Sequence, residues 1–139
     1  MADLIYNSFT EYIGDGTIDM DNDTFKAALL DDGHTPSAAH TQYTDVSGDE
    51  LANGNGYTTG GATLANVSWG QTGGTATFDA DDPSWTEASF TARYAVIYSD
   101  TAGNDELVCL IDFSENKTVS NGTFTIQFNE SGIFTLAKS

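Results

Sequence analysis

Three aspartates at alternate positions, Asp19, Asp21 and Asp23, have the spacing in this chain closest to that of a cation site. Carboxylates two residues apart in an irregular loop can converge on Ca²⁺, a hard cation that binds oxygen ligands. The EF-hand loop, however, needs a glycine and a bidentate glutamate where this chain has Thr24 and Leu30. The same alternation is typical of a solvated acidic face, so we predict no metal and no cofactor, with cation binding as the open alternative.

A second acidic cluster, Asp79-Ala80-Asp81-Asp82, stands directly before Pro83. Aspartate side chains in such positions accept hydrogen bonds from nearby backbone amides and thereby stabilise turns. We therefore interpret this cluster as a turn rather than a binding site.

Two histidines, His34 and His40, lie in a stretch rich in glycine, proline and alanine. A general base needs an orienting carboxylate and a nucleophile within hydrogen-bond reach, and this spacing imposes neither. The chain also lacks a Gly-x-Ser-x-Gly elbow and a phosphate-binding loop with its lysine. We predict no catalytic residues and a protein that is not an enzyme, although a carboxylate pair for glycoside hydrolysis stays open among so many acids.

Aromatic side chains supply the candidate contact residues. Trp69 alternates with polar residues in a predicted strand and is expected in the core, whereas Trp85 follows Asp-Asp-Pro-Ser in a predicted turn and is expected to be exposed. Tyr6 and Tyr12 belong to a predicted N-terminal helix. We predict that Tyr6, Tyr12 and Trp85 contribute to an interface.

The chain is strongly acidic, with 21 Asp and Glu against four Lys and Arg and a formal net charge of −17. Nucleic acids and anionic membranes bind through clustered basic residues, so we expect neither as a partner. No signal peptide and no membrane-spanning apolar run is recognisable, which predicts a protein made in the cytoplasm and not exported by that route. The one cysteine, Cys109, lies in an apolar run and is expected to be buried.

The length predicts a single domain over residues 1–139. Apolar residues at steps of three and four predict one short helix over about residues 3–13, with Asp3 as its N-cap and Gly14 at its C-terminal end. Residues 24–30 are typical of a buried strand, with a continued helix as the alternative. Residues 31–61 contain few hydrophobic residues and predict a long ordered loop, and such loops often mediate contacts.

Residues 62–137 form the strand-rich part of the chain. Alternating apolar residues with Gly73-Gly74 between them predict a hairpin over residues 65–79. Further strands are expected along Phe90, Ala92, Tyr94, Val96 and Tyr98, which would share one face, at residues 107–111 in the centre of a sheet, at 123–129 after Asn121-Gly122, and at 133–137.

These elements predict a mostly β fold, an antiparallel β-sandwich of jelly-roll or immunoglobulin-like type. It carries one short N-terminal helix and the long ordered loop.

Five stretches occur in order along nearly the whole chain: TFKAALL at residues 24–30, HTPSAAHT at 34–41, GYTTGGATL at 56–64, FDADD at 78–82 and ARYAVIY at 92–98. Together they resemble a family of small proteins from the structural region of tailed bacteriophages. The resemblance implies a virion protein and provides no catalytic residues to transfer to this chain.

Within a virion, a small acidic β domain without tail-fibre repeats is expected to be a capsid decoration or cement protein bound to the outside of the head. Its expected partners are other virion proteins, above all the major capsid protein, together with self-association. The exposed side of the helix and the loop over residues 31–61 are the candidate surfaces. A neck, tail-tube or tail-tip component is the first alternative, and a glycan-binding adhesion module using Trp85 is the second.

Overall fold

The computed structural model describes residues 2–138. Within them it contains one α-helix, α1 (Phe9–Asp15), and eight β-strands. Two short 3-10 helices, Tyr43–Asp45 and Ser47–Asp49, lie in the long segment between the second and third strands. The strands are β1 (Leu4–Ile5), β2 (Phe25–Leu30), β3 (Ala62–Thr63), β4 (Ser68–Thr72), β5 (Thr75–Asp79), β6 (Ser84–Ser99), β7 (Leu107–Thr125) and β8 (Phe134–Ala137).

The strands form two antiparallel sheets. The larger sheet has the order β1-β7-β6-β2-β3, and the smaller sheet has the order β4-β5-β8. The long strands β6 and β7 pair with each other from Ser84 to Tyr98 and form the centre of the larger sheet. The prediction of a mostly β, sandwich-like fold with a single short helix is confirmed.

One face of the larger sheet packs against the smaller sheet and α1, and we call this layer the first core. Phe25 of β2 meets Phe78 of β5 edge to face, with 5.2 Å between ring centroids. Phe9 of α1 meets Phe134 of β8 in the same manner at 5.5 Å. These rings join the two sheets and the helix, because large aromatic side chains bury much apolar area and favour edge-to-face contacts.

The opposite face of the larger sheet is buried as well, beneath the segment over residues 31–61, and we call this layer the second core. It contains Ala28 and Leu30 of β2 together with Val46 of the long segment. Alternate residues of β2, such as Ala27 and Leu29, belong to the first core. Burial on both faces explains why residues 107–111 of β7 are apolar at every position, and their prediction as a central strand is confirmed.

The N-terminal helix begins later than predicted. Leu4 and Ile5 form β1, which pairs with β7. Asp3, predicted as the N-cap, instead accepts a hydrogen bond from the backbone N–H of Asp112 at 2.8 Å. The C-cap of the helix is Gly16, which has a left-handed backbone with φ of 87°, and not Gly14. Pairing with β1 satisfies backbone groups of β7 at the edge of the larger sheet, which would stay unpaired if residues 3–13 formed a helix. Local periodicity in the sequence does not reveal that this edge is present.

The strand predicted over residues 123–129 is only partly present. Residues 123–125 are the end of β7, and Phe124, Ile126 and Phe128 are buried on one side as predicted. They do not begin a separate strand, because Asn121-Gly122 lies inside β7 and not before it. The backbone N–H of Asn121 donates to Oγ of Ser89 on β6 at 2.9 Å. Asn121 has φ of 47° at an irregularity in the pairing of the two strands. An Asn-Gly pair that favours positive φ thus serves a bulge here, and not a hairpin turn.

A second irregularity overturns the prediction that Phe90 to Tyr98 share one face. Ala92 pairs with Lys117 and Tyr94 pairs with Asp112, so residues 113–116 of β7 bulge opposite Arg93. Ala92 accordingly packs in the first core and Tyr94 in the second. Bulges bend and twist a strand, which changes the direction of the side chains beyond them.

The remaining strand predictions agree with the structure. β4 and β5 form the predicted hairpin around Gly73-Gly74, residues 25–30 form β2, and β8 lies within residues 133–137. Trp69 packs against the first core but stays partly exposed. Cys109 is buried and free. Among the described residues, no helix has the length and apolar character needed to cross a membrane.

Candidate functional site

Two of the three predicted interface residues are buried, and the prediction is wrong for both. Tyr6 is 0% exposed, because β1 joins the sheet edge and directs the next side chain into the second core. Trp85 is 6% exposed. It lies in β6 and not in a turn, and its ring packs near those of Tyr57 and Phe124 at centroid distances of 6.3 and 6.0 Å. Neither ring is available to a partner.

Tyr12, the third predicted interface residue, lies on α1 and is half-buried against the first core. Its neighbour Ile13 helps to line a surface groove of about 360 Å³ together with Ile18, Met20 and Trp69. The helix therefore offers one partly apolar groove beside the smaller sheet.

Two of the three aspartates predicted to share an acidic face, Asp19 and Asp23, accept hydrogen bonds that hold a turn. Asp19 accepts hydrogen bonds from the backbone N–H groups of Asp21 and Asn22 at 3.0 and 3.2 Å. The side-chain amide of Asn22, followed by these backbone bonds, lowers the pKa of Asp19. Asp23 accepts a hydrogen bond from the hydroxyl of Ser99 at 2.7 Å. Across residues 2–138, no group of three or more His, Cys, Asp and Glu side chains is placed to hold a metal.

The cluster over residues 79–82 also acts on the backbone, although its partners lie farther away than predicted. Asp79 accepts from the backbone N–H of Ala80 at 2.9 Å, as a local turn requires. Asp82 instead accepts from the backbone N–H of Phe128 at 2.8 Å and anchors the segment that follows β7. The interpretation as backbone-capping carboxylates is correct, but part of the capping is long-range.

The predicted long ordered loop is fixed to the larger sheet by Glu50. Its half-buried carboxylate accepts hydrogen bonds from the hydroxyls of Tyr43 and Tyr57. It also accepts one from the backbone N–H of Gly60 at 2.8 Å. The hydroxyl of Tyr57 in turn accepts a hydrogen bond from the backbone N–H of Leu29 in β2 at 3.0 Å. One carboxylate thus connects the two halves of the loop to a buried strand.

These tyrosines predict a loss of stability in alkali. Burial, followed by the hydrogen bond to Glu50, raises the pKa of Tyr43 and Tyr57, and burial also raises the pKa of Tyr6 and Tyr98 above the ordinary 10.0. Above that pH the unfolded chain loses phenolic protons that the folded chain retains, so the free energy of unfolding decreases as the pH rises.

Urea unfolding at about pH 8 and about pH 11 measures this effect, and the midpoint should be clearly lower at the higher pH. Tyr98→Phe should reduce the difference between the two midpoints. Equal midpoints would show that the folded chain does not protect these phenols.

The structure brings His34 and His40 together, although their spacing in the sequence does not require this. Their ring centroids are 5.7 Å apart. Nδ1 of His34 lies 2.9 Å from a carboxylate oxygen of Asp49, so the orienting carboxylate is present too. Asp49 belongs to the second 3-10 helix, and only the folding of the long segment places it beside His34.

The smaller sheet is a surface feature that the sequence-based prediction of interface residues did not include. Of all residues in β4, β5 and β8, only Asp79 carries a charge, and we call these three strands the uncharged sheet. Its outer side presents small polar residues, and its side facing the first core extends to Leu136, which is 49% exposed. Residues 60–78 and 131–137 contain no charged residue, and this pattern in the sequence was a usable signal.

Both outer edges of the uncharged sheet are open in the described part of the chain. β4 and β8 each pair only with β5. All five residues of β4 pair with β5 in continuous register, so no bulge disrupts this edge. Edge strands are commonly protected by charge, proline or a bulge, because their free backbone groups otherwise pair with another chain. The uncharged sheet is therefore the candidate interaction surface of this domain.

Comparison with protein-family models, with curated proteins and with solved structures finds no match to this chain. The likeness to tailed-phage proteins accordingly stays a prediction from the sequence.

Proposed function

We propose that this protein is a non-enzymatic structural component of a tailed-phage virion, a capsid decoration or cement protein bound to the outside of the head. The observation that carries the proposal is the uncharged sheet, an open-edged surface on a domain with a net charge of −17. A decoration protein needs one face that docks and another that stays hydrated. The distribution of charge over this chain provides both.

The charge supports an outward position on the particle. The 21 acidic residues repel packaged nucleic acid and keep the rest of the domain hydrated, so docking is restricted to the surface without charge. The uncharged sheet is also where two copies can approach with least repulsion, which supports the proposed self-association. The major capsid protein is the proposed main partner.

The ionisable side chains that could take part in catalysis form hydrogen bonds that stabilise the fold, which supports a non-enzymatic role. Asp19, Asp23 and Asp82 accept backbone or hydroxyl hydrogen bonds. Glu50 is bound to two tyrosines. The Asp49 carboxylate orients His34, and in the described residues neither Nε2 of His34 nor Nδ1 of His40 has a hydrogen-bond partner.

Two alternative functions differ in their support. A neck, tail-tube or tail-tip component would use the same uncharged sheet and is distinguished by copy number. The glycan-binding alternative relies on Trp85, and the burial of that ring argues against it.

Added charge on the uncharged sheet should reduce binding to the particle. Thr135 is exposed on β8, and Thr135→Glu places a carboxylate in the proposed contact, where a desolvated unpaired charge is costly. Thr123→Glu on β7 is the matched control, because Thr123 is exposed but lies outside the uncharged sheet. Both variants should stay within about 0.5 kcal/mol of the unaltered chain in unfolding free energy.

Quantitative mass spectrometry of purified particles provides the measurement. We expect hundreds of copies per particle for the unaltered chain and for Thr123→Glu, and a marked loss for Thr135→Glu. Six or twelve copies would refute a decoration role and favour the neck or tail. Equal loss in both variants would refute the assignment of the contact to the uncharged sheet.

A further inference from the structure

Four buried polar atoms without a hydrogen-bond partner lie on two neighbouring segments of the chain. In the described residues these are the hydroxyls of Tyr6 and Ser8, Nε2 of His34 and Nδ1 of His40. They belong to two segments, residues 6–8 and 34–40, which are joined by a hydrogen bond from the backbone N–H of Asn7 to the carbonyl of Ala38 at 2.9 Å. Buried polar groups are nearly always paired, so the unpaired ring nitrogens of the neighbouring His34 and His40 indicate a polar site that could bind a ligand atom.

His34 gives this region a defined ligand atom. Its side chain is 1% exposed, and its Nδ1 lies 2.9 Å from Asp49. With Nδ1–H donating to that carboxylate, Nε2 presents a buried lone pair that has no hydrogen-bond partner in the described residues. A carboxylate that holds one imidazole nitrogen while the other faces a metal is the usual support of a metal-binding histidine.

His40 has a position suited to the same ion. Two imidazoles at metal–nitrogen distances of about 2 Å and a roughly tetrahedral angle place their ring centroids about 5 to 6 Å apart. The rings of His34 and His40 are 5.7 Å apart and inclined by 43°. Nδ1 of His40 is buried and unpartnered as well, so both rings have a free nitrogen inside the protein.

We propose that His34 Nε2 and His40 Nδ1 bind one late first-row divalent metal ion, of which Zn²⁺ is the representative, with Asp49 orienting His34. Imidazole nitrogens favour such ions over Ca²⁺ and Mg²⁺, which prefer oxygen. The described chain offers no third His, Cys, Asp or Glu here, so the remaining coordination positions go to hydroxyl or water oxygen. The ion would connect two positions of the long loop, independently of the virion role.

Isothermal titration of the full chain, prepared without a histidine tag and stripped with EDTA, tests the site with ZnCl₂ in excess CaCl₂. We expect one Zn²⁺ per chain and an increase in melting temperature. His40→Gln should abolish this binding, and Asp49→Asn should weaken it about tenfold. Asp21→Asn is the control for the acidic surface and should leave the affinity unchanged.

Nitrogen NMR of the unaltered chain gives a readout that needs no variant. Zinc should shift the resonances of His34 Nε2 and His40 Nδ1, while His34 Nδ1 keeps its proton. Absence of saturation at about 1 mM Zn²⁺ would overturn the proposal. So would binding that His40→Gln leaves intact, or an unshifted His34 Nε2, and buried water would then be the occupant.

Discussion

Gly61→Ala should destabilise this protein by about 4 kcal/mol or more and leave much of it unfolded at ambient temperature. Gly61 has φ of 89°, and a Cβ atom at this position would lie 2.0 Å from the carbonyl oxygen of Ala27. Ala27 belongs to β2, which pairs with β6 on one side and β3 on the other and therefore cannot move away. Both the backbone conformation and the contact thus require glycine.

Gly48→Ala is the matched control, because a Cβ atom at Gly48 would meet nothing within 4 Å. Its unfolding free energy should change by about 1 kcal/mol at most. Urea denaturation followed by circular dichroism measures both variants. A Gly61→Ala protein with the stability of the control would show that the long loop does not approach β2 as closely as described.

Glu50→Ala should cost about 3 kcal/mol and release the long loop from the larger sheet. The change removes the acceptor of the hydroxyls of Tyr43 and Tyr57 and of the Gly60 N–H. Tyr57 is 2% exposed, so its O–H would lose its acceptor inside the protein, where an unpaired donor is costly. The loop should then open more often than the strands beneath it.

Hydrogen exchange followed by mass spectrometry locates the change. Residues 31–61 should exchange faster in Glu50→Ala, while β6 and the first half of β7 retain their protection. Glu115→Ala is the control, since Glu115 forms only an exposed ion pair with Lys117 at 2.8 Å. Uniformly faster exchange in all strands would show that Glu50 supports the whole fold and not the loop.

Most of the fold was accessible from sequence because alternation and turn residues act locally. The alternation around Phe78 and the Gly73-Gly74 turn predicted the β4–β5 hairpin correctly. Prediction failed where a distant strand determined the local structure. Asp3 has the features of an N-cap, yet Leu4 and Ile5 pair with β7 and form a strand. Asn121-Gly122 has the features of a turn, yet continuous pairing with β6 makes it a bulge.

The candidate site was less predictable, because exposure depends on what covers a residue. The sequence predicts an exposed helix for Tyr6 and a turn for Trp85, and hence exposure of both side chains. In the structure Tyr6 lies in the second core, and Trp85 packs near the ring of Tyr57. The charge-free runs of the uncharged sheet were visible in the sequence, but its open edges follow only from the strand order. The approach of His34 to His40 depends on the conformation of the loop, which has no periodic signal.

We propose that this acidic β domain docks on a phage head through its uncharged sheet. A reconstruction of the particle by electron cryo-microscopy tests this most directly. We predict density for this two-sheet fold at symmetry-related positions on the outside of the head, with β4, β5 and β8 facing the shell or a neighbouring copy. Density only at the neck or tail, or copies on the head whose uncharged sheet faces solvent, would contradict the account.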